Sequence, residues 1–298
     1  MQAVSCHCGD CTTFNCYQFR IKEADDLGFK RMICFLKPYF DAHAKCVSER
    51  CCRCNPLEPS DSFLFFNIQI TVETFFRILD GQYLDDNSLN VFGAYLQTRS
   101  LFDLSVFPKL FYYNSFFWLF MPVKLTDGSI YFNFGKEQKK FETDDRNKLI
   151  RCIKKSFKRE LAEVAGKRAE EVNPLDGVEL LFFPLNNRVH WALGAIDLIN
   201  KRILYGDSLG CSMLKEFDLR VRFYIELVCE IFPATKETFR RSSEWKTVNI
   251  NVPTQPDGVS CGAAVCLAME SLSRRSKITF SQVVYRLYNP SNFKCMYN

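Results

Sequence analysis

The sequence contains no apolar run long enough to cross a bilayer. Its longest uncharged apolar stretch, Leu110 to Val123, is 14 residues and carries Asn114 and Ser115, against the roughly 20 that a membrane helix needs. Met1 to Gly9 lacks both a basic start and an apolar core, so no secretory signal is expected there. Excess charge of one sign is also scarce, since 39 Lys and Arg face 34 Asp and Glu for a formal net charge of +5. That balance excludes a polyanion-binding field spread over the whole molecule and gives nucleic-acid binding no support. Histidines number only three, His7, His43 and His190, which leaves few choices for a general base.

What is abundant is apolar and aromatic residues, 47% and 15% of the 298, enough for a full-sized core. Cysteine is abundant too, and unevenly placed. Nine of the 15 fall in the first 54 residues. With no export signal, a reducing intracellular compartment, nucleus or cytoplasm, is expected, and clustered cysteines then read as metal ligands or reduced thiols before disulfides.

The two prolines of Asn55-Pro-Leu-Glu-Pro-Ser60 mark a boundary between a Cys/His-rich segment, 1–58, and a main domain, 59–298. The leader holds the spacings Cys6-x-Cys8-x2-Cys11-x4-Cys16 and His43-x2-Cys46-x4-Cys51-x2-Cys54, and the second supplies four soft ligands of a type that zinc accepts tetrahedrally. A structural zinc in the leader is the expectation, against reduced surface thiols. Catalysis needs no cofactor.

In the main domain, Asn87 to Gln97 has helical spacing with Asp85 and Asp86 placed to cap it. The charged run 136–171, with 12 Lys or Arg against 8 Asp or Glu, interleaves Leu149, Ile153, Phe157 and Leu161 and predicts a solvated amphipathic helix. Strands are predicted over Glu179–Leu185, Trp191–Asp197 and Arg202–Gly206, the last two as a hairpin. A helix follows over Met213–Phe232, then a strand over Trp245–Val252, a loop, and a helix over Cys261–Arg274.

That order places Cys261 at a helix start, where unpaired N–H groups and about half a positive charge favour thiolate over thiol. A cysteine nucleophile needs a base, and His190 is the one histidine outside the leader. Asp207 lies 17 residues on, at the far end of the predicted hairpin, where it can orient the imidazole and stabilise its cation. Gln255, six residues before Cys261, is placed to aim its amide at a developing oxyanion, helped by the Cys261 N–H.

Four blocks, Tyr83-Leu-Asp-Asp-Asn87, Val189-His-Trp-Ala-Leu193, Tyr205-Gly-Asp-Ser-Leu-Gly210 and Gln255-Pro-Asp-Gly-Val-Ser-Cys-Gly262, resemble the signature segments of the ubiquitin-like-protein-specific proteases. These are SUMO-protease and deneddylase cysteine peptidases related to adenovirus protease. The resemblance spans about residues 60 to 290 and implies an α+β, papain-like fold with a central mixed or antiparallel sheet flanked by helices. It implies hydrolysis after the C-terminal Gly-Gly of a SUMO-like or other ubiquitin-like modifier, in precursors or isopeptides. Cys261 is then the nucleophile, His190 the base and acid, Asp207 the orienter and Gln255 part of the oxyanion hole. Trp191, Tyr83 and Asp86 are implied in substrate binding, Trp191 as a lid over the glycine tail.

The family usually carries Trp at 83, Asn at 257, Asp at 260 and an aromatic after Gly262, where this chain has Tyr83, Asp257, Ser260 and Ala263. Two rival readings remain open at this stage. One is an acyltransferase using the same Cys, His and Asp, and the other is a catalytically weak modifier-binding protein.

Overall fold

A computed structural model describes residues 62–66, 68–71, 73–74, 83–102, 106–134, 137–162, 171–210 and 213–278. The leader ligands, the 55–60 boundary and the 1–58 and 59–298 division at it lie outside these residues.

Strands β1 (Ser62–Phe65) and β2 (Ile68–Thr71) pair antiparallel. The centre is a five-stranded mixed sheet of β3 (Leu110–Tyr112), β7 (Leu180–Asn186), β8 (Trp191–Asp197), β9 (Arg202–Gly206) and β10 (Thr247–Asn249), in the order β10-β9-β8-β7-β3. β7, β8 and β9 form an antiparallel meander, while β3 and β10 join its two edges in parallel. β8 is buried along its whole length and β7 along all but its last residue, as expected of strands covered on both faces.

Alternation along these strands feeds two separate cores. Leu180, Phe182, Trp191, Leu193 and Ala195 face one layer, made by α1 (Asp86–Phe102) and α6 (Cys261–Ser273). Leu181, Phe183, Ala192 and Ile196 face the other, dominated by α5 (Leu214–Ile231). The period-2 geometry of a strand forces this split. Gly194 lets α5 approach, since a Cβ there would sit 2.2 Å from the Phe217 ring.

α1 starts where Asp85 accepts from the Ser88 backbone N at 2.8 Å and its Oγ at 2.6 Å, an N-cap bond. Near its other end the buried Arg99 pairs with Glu270 of α6 at 2.9 Å and donates to Ser273 Oγ at 2.6 Å. The two helices are thereby tied together.

Two predicted segments differ in detail, and the apolar run takes more than one form. The apolar run 110–123 is divided among β3, α2 (Ser115–Leu119) and the start of β4 (Val123–Lys124), with Asn114 capping α2 through its bond from Phe117 N. β4 pairs with β5 (Ile130–Phe134), and β5 with β6 (Glu137–Lys140), so the charged run opens as a strand. It becomes helical only from Glu142, whose capping box with Asp145 starts α3 (Thr143–Ser156). Buried Phe157 then separates α3 from α4 (Lys158–Ala162). The Trp245–Val252 strand shortens to Thr247–Asn249, because Trp245 and Val252 are buried as anchors at its two ends.

Candidate active site

The site forms where β8, β9 and α6 meet. His190 precedes β8, Asp207 follows β9 and Cys261 is the first residue of α6. His190 Nε2 lies 2.6 Å from Asp207 Oδ1. Leu193 pairs with Gly206, so continuing that register sets Asp207 opposite Ala192. His190 and Asp207 are therefore diagonal neighbours past the strand ends, where the imidazole is long enough to reach.

A carboxylate at Nε2 fixes that nitrogen as the protonated one in the neutral ring, leaving Nδ1 as the base. Nδ1 is buried and makes no hydrogen bond of normal geometry, and Cys261 stands close enough to affect the ring. The Asp207 hydrogen bond first, and Cys261 second, raise the His190 pKa to about 9, against desolvation. Long base-to-nucleophile contacts are common in sites without substrate.

Asp207 is held in turn. Burial pushes its pKa up, but His190, the Leu209 backbone N (2.9 Å) and the Tyr205 hydroxyl (2.8 Å) hold the carboxyl below its ordinary range. The carboxylate thus stays charged. Sequence reasoning gave Tyr205 no role, because strand alternation sends its ring to the opposite core, and only its hydroxyl returns.

Gln255 is buried, and its amide is fully oriented. Oε1 accepts from Ser208 Oγ at 2.6 Å, while Nε2 donates to the Asp257 carbonyl at 2.6 Å. One N–H of Nε2 is thereby engaged inside the loop, and its second N–H is the one left for a reacting group. Asp257 also accepts from Val259 N at 2.9 Å, Ser260 N at 2.7 Å and Ser260 Oγ at 2.7 Å. Burial opposes these bonds, yet they hold its pKa low. The residues at 257 and 260 thus bond each other and shape the loop entering Cys261.

Trp191 and Cys261 are each 1% exposed. The indole Nε1 donates to Leu84 O at 2.8 Å, and a Cβ on Gly262 would meet Leu84 Cβ at 2.8 Å. Tyr83 and Leu84 therefore form a wall beside Cys261. The Tyr83 hydroxyl is buried without a hydrogen bond of normal geometry. Burial first, then Cys261, pushes its pKa up to about 12 although Asn186 nearby opposes this. Asp86 is half-buried in the first turn of α1. Burial raises its pKa and the Ser115 hydroxyl offsets part of that.

Large apolar side chains surround this centre on the outside. Val189 (76% exposed), Leu209 and Val259 lie within two residues of His190, Asp207 and Cys261, respectively. Each is presented by a turn in which the side chain of Asn187, Asp207 or Asp257 accepts from its backbone N. Among the described residues no group of three His, Cys, Asp or Glu side chains could hold a metal ion.

The family model described as "Ulp1 protease family, C-terminal catalytic domain" matches residues 122–294, more than half of the chain. The chain belongs to the Ulp1 protease family. It is similar to Ubiquitin-like-specific protease 1 of Saccharomyces cerevisiae, 24% identical over 202 residues, covering 67% of this chain and 25% of that protein. Ubiquitin-like-specific protease 1A of Arabidopsis thaliana is 22% identical over 217 residues, covering 72% and 37%. Sentrin-specific protease 2 of Homo sapiens is 29% identical over 111 residues, covering 35% and 18%. The chain thus spans well under two thirds of these relatives' own length.

Among solved structures, the Chaetomium thermophilum Ulp1-like SUMO protease catalytic domain matches with a TM-score of 0.52 at 16% identity, covering 85% of this chain and 86% of that one. The SUMO protease Ulp1 with its catalytic cysteine oxidized to a sulfinic acid matches at 0.50 and 21% identity, covering 76% and 84%. At these identities the likeness is one of fold. The α+β expectation, with a mixed sheet flanked by helices, holds for this Ulp1-family chain.

Proposed function

We propose that this chain is a cysteine protease that hydrolyses the bond after the C-terminal Gly-Gly of a SUMO-like modifier, in precursors and in isopeptides to lysine. The observation that carries the reading is the His190 Nε2 to Asp207 contact of 2.6 Å, with Cys261, at a helix start, close enough to the ring to raise its pKa. The names of the relatives, ubiquitin-like-specific and sentrin-specific proteases, support the substrate class. The close packing of Trp191 and Gly262 on Leu84 beside Cys261 supports a narrow site that favours a tail without side chains.

In this reading the Cys261 proton already rests on His190 Nδ1 and the sulfur attacks the carbonyl carbon of the last glycine. The carbonyl oxygen becomes an oxyanion, which the Cys261 N–H and the uncommitted N–H of Gln255 Nε2 stabilise. The first N–H groups of a helix have no intrahelical partner, so α6 has the former to give. Collapse expels the amine, which takes the proton from His190, and leaves a thioester. Water then attacks, His190 takes its proton, and collapse returns the thiolate and a free glycine carboxylate. Groups of this chain, with one water, carry every step.

Incubation with a SUMO-like precursor tests the reading, with Cys261→Ala as the control. Cleavage after Gly-Gly that is lost in the variant is the expected result. Unchanged cleavage by Cys261→Ala, or transfer of the acyl group to a protein lysine in place of water, would contradict it. A reducing compartment, nucleus or cytoplasm, suits an enzyme that depends on a free thiol. The leader is proposed to hold a structural zinc on its ligand spacing alone. Elemental analysis is expected to find about one equivalent, and less than a tenth would refute that part.

A further inference from the structure

The geometry points to Ser208 as the residue that positions the oxyanion-binding amide of Gln255. This rests on the cysteine-protease reading and adds to it a group that touches neither substrate nor thiol.

The Asp257 carbonyl can only accept, so the end of the Gln255 side chain lying 2.6 Å from it must be the nitrogen. The other end, 2.6 Å from Ser208 Oγ, is then the oxygen, and Ser208 must donate. The two segments are tied a second time, by Gln255 N donating to Ser208 O at 3.1 Å. Both residues are buried, so water does not replace a missing partner.

The last torsion of a Gln side chain is broad and roughly two-fold. The Asp257 carbonyl fixes which end of the amide is nitrogen, but without Ser208 the carboxamide hangs on that one bond and can swing about it, turning its second N–H away from the developing oxyanion. Ser208 therefore fixes the angle at which the amide meets the transition state. Ser208 also follows Asp207 directly, so one turn after β9 holds the acid that orients His190 and the hydroxyl that orients Gln255.

The test uses the full chain and a SUMO-like modifier bearing a C-terminal aminomethylcoumarin amide, with wild type, Ser208→Ala, Ser208→Thr, Gln255→Ala and the Ser208→Ala/Gln255→Ala pair. Ser208→Ala is expected to lower kcat by about tenfold or more, toward the loss seen on deleting an oxyanion donor, with KM within about twofold. Affinity for the modifier's C-terminal aldehyde, which mimics the tetrahedral state, should fall by the same factor. Alkylation of Cys261 by iodoacetamide, read by peptide mass spectrometry, should keep its rate. Ser208→Thr restores the hydroxyl and is expected to recover most of kcat. The double variant should be no slower than Gln255→Ala alone, since the two act as one unit.

A Ser208→Ala loss confined to KM or to the iodoacetamide rate, or one that multiplies in full with Gln255→Ala, would overturn the inference. So would a normal Ser208→Ala enzyme alongside an impaired Gln255→Ala. Should Ser208→Ala fail to fold, Ser208→Cys, a weaker donor of similar size, is read by the same criteria. A wild type that leaves the amide uncleaved sinks the protease reading itself, and this inference with it.

Discussion

His190 is the residue on which the chemistry turns, and its environment sets a pH window. Its pKa is raised to about 9 because Asp207 and Cys261 favour the cation, so the imidazolium that the proposed mechanism uses to protonate the leaving amine persists to mildly alkaline pH. The kcat/KM profile is expected to fall on the basic side near pH 9, and Asp207→Asn should move that limb toward the ordinary histidine value of 6.5. A limb that Asp207→Asn leaves in place would show that the carboxylate does not tune the ring. The same shift links to folding. A raised value means the His190 contribution to stability is complete below about 6.5 and is lost as pH rises through about 9. His190, Asp207, Gln255 and Cys261 are legible in the sequence because residue type and spacing alone suggest them. Ser208 and Tyr205 are not, since a serine and a strand tyrosine acquire a role only once the fold brings their hydroxyls to Gln255 and Asp207.

At the scale of elements, the segment leading into α1 packs on the first turn of α6. Gly262 sits where a Cβ would press on Leu84, so Gly262→Ala should displace the Tyr83–Leu84 wall and raise KM severalfold. Steady-state kinetics that match wild type would show that the wall yields without consequence. Arg99 joins the same helices from the far end, where its guanidinium is buried against Glu270 and Ser273. Glu270 keeps a second partner in Arg274 at 2.5 Å, so Arg99→Met should cost about 2 kcal/mol in urea unfolding, less than breaking an isolated buried pair. The helices and the strands of the meander are readable from the sequence because their apolar period is long and regular. β10 is legible too, though the alternating run overextends it at both ends. β6 is not, because it is hidden at the start of a charged run, and neither is the short edge strand β3, because its pairing with β7 across a long separation defines it and local pattern does not.

For the whole molecule, a sheet buried on both faces separates two cores and leaves the reacting groups at one end, at the ends of β8 and β9 and the start of α6. The apolar side chains of Val189, Leu209 and Val259 surround that end, a surface suited to a folded protein substrate more than to a short peptide. Val189→Asp, at a highly exposed position, should leave the melting temperature in place while raising KM for a modifier substrate. An unchanged KM would place the docking surface elsewhere.

The central claim is that Cys261 is the nucleophile for a modifier's Gly-Gly tail, and covalent trapping tests it most directly. A SUMO-like modifier carrying a C-terminal electrophile in place of its last carboxylate should form a single adduct, mapped by peptide mass spectrometry to Cys261 and lost in Cys261→Ala. No adduct, or one on any other cysteine, would contradict the account.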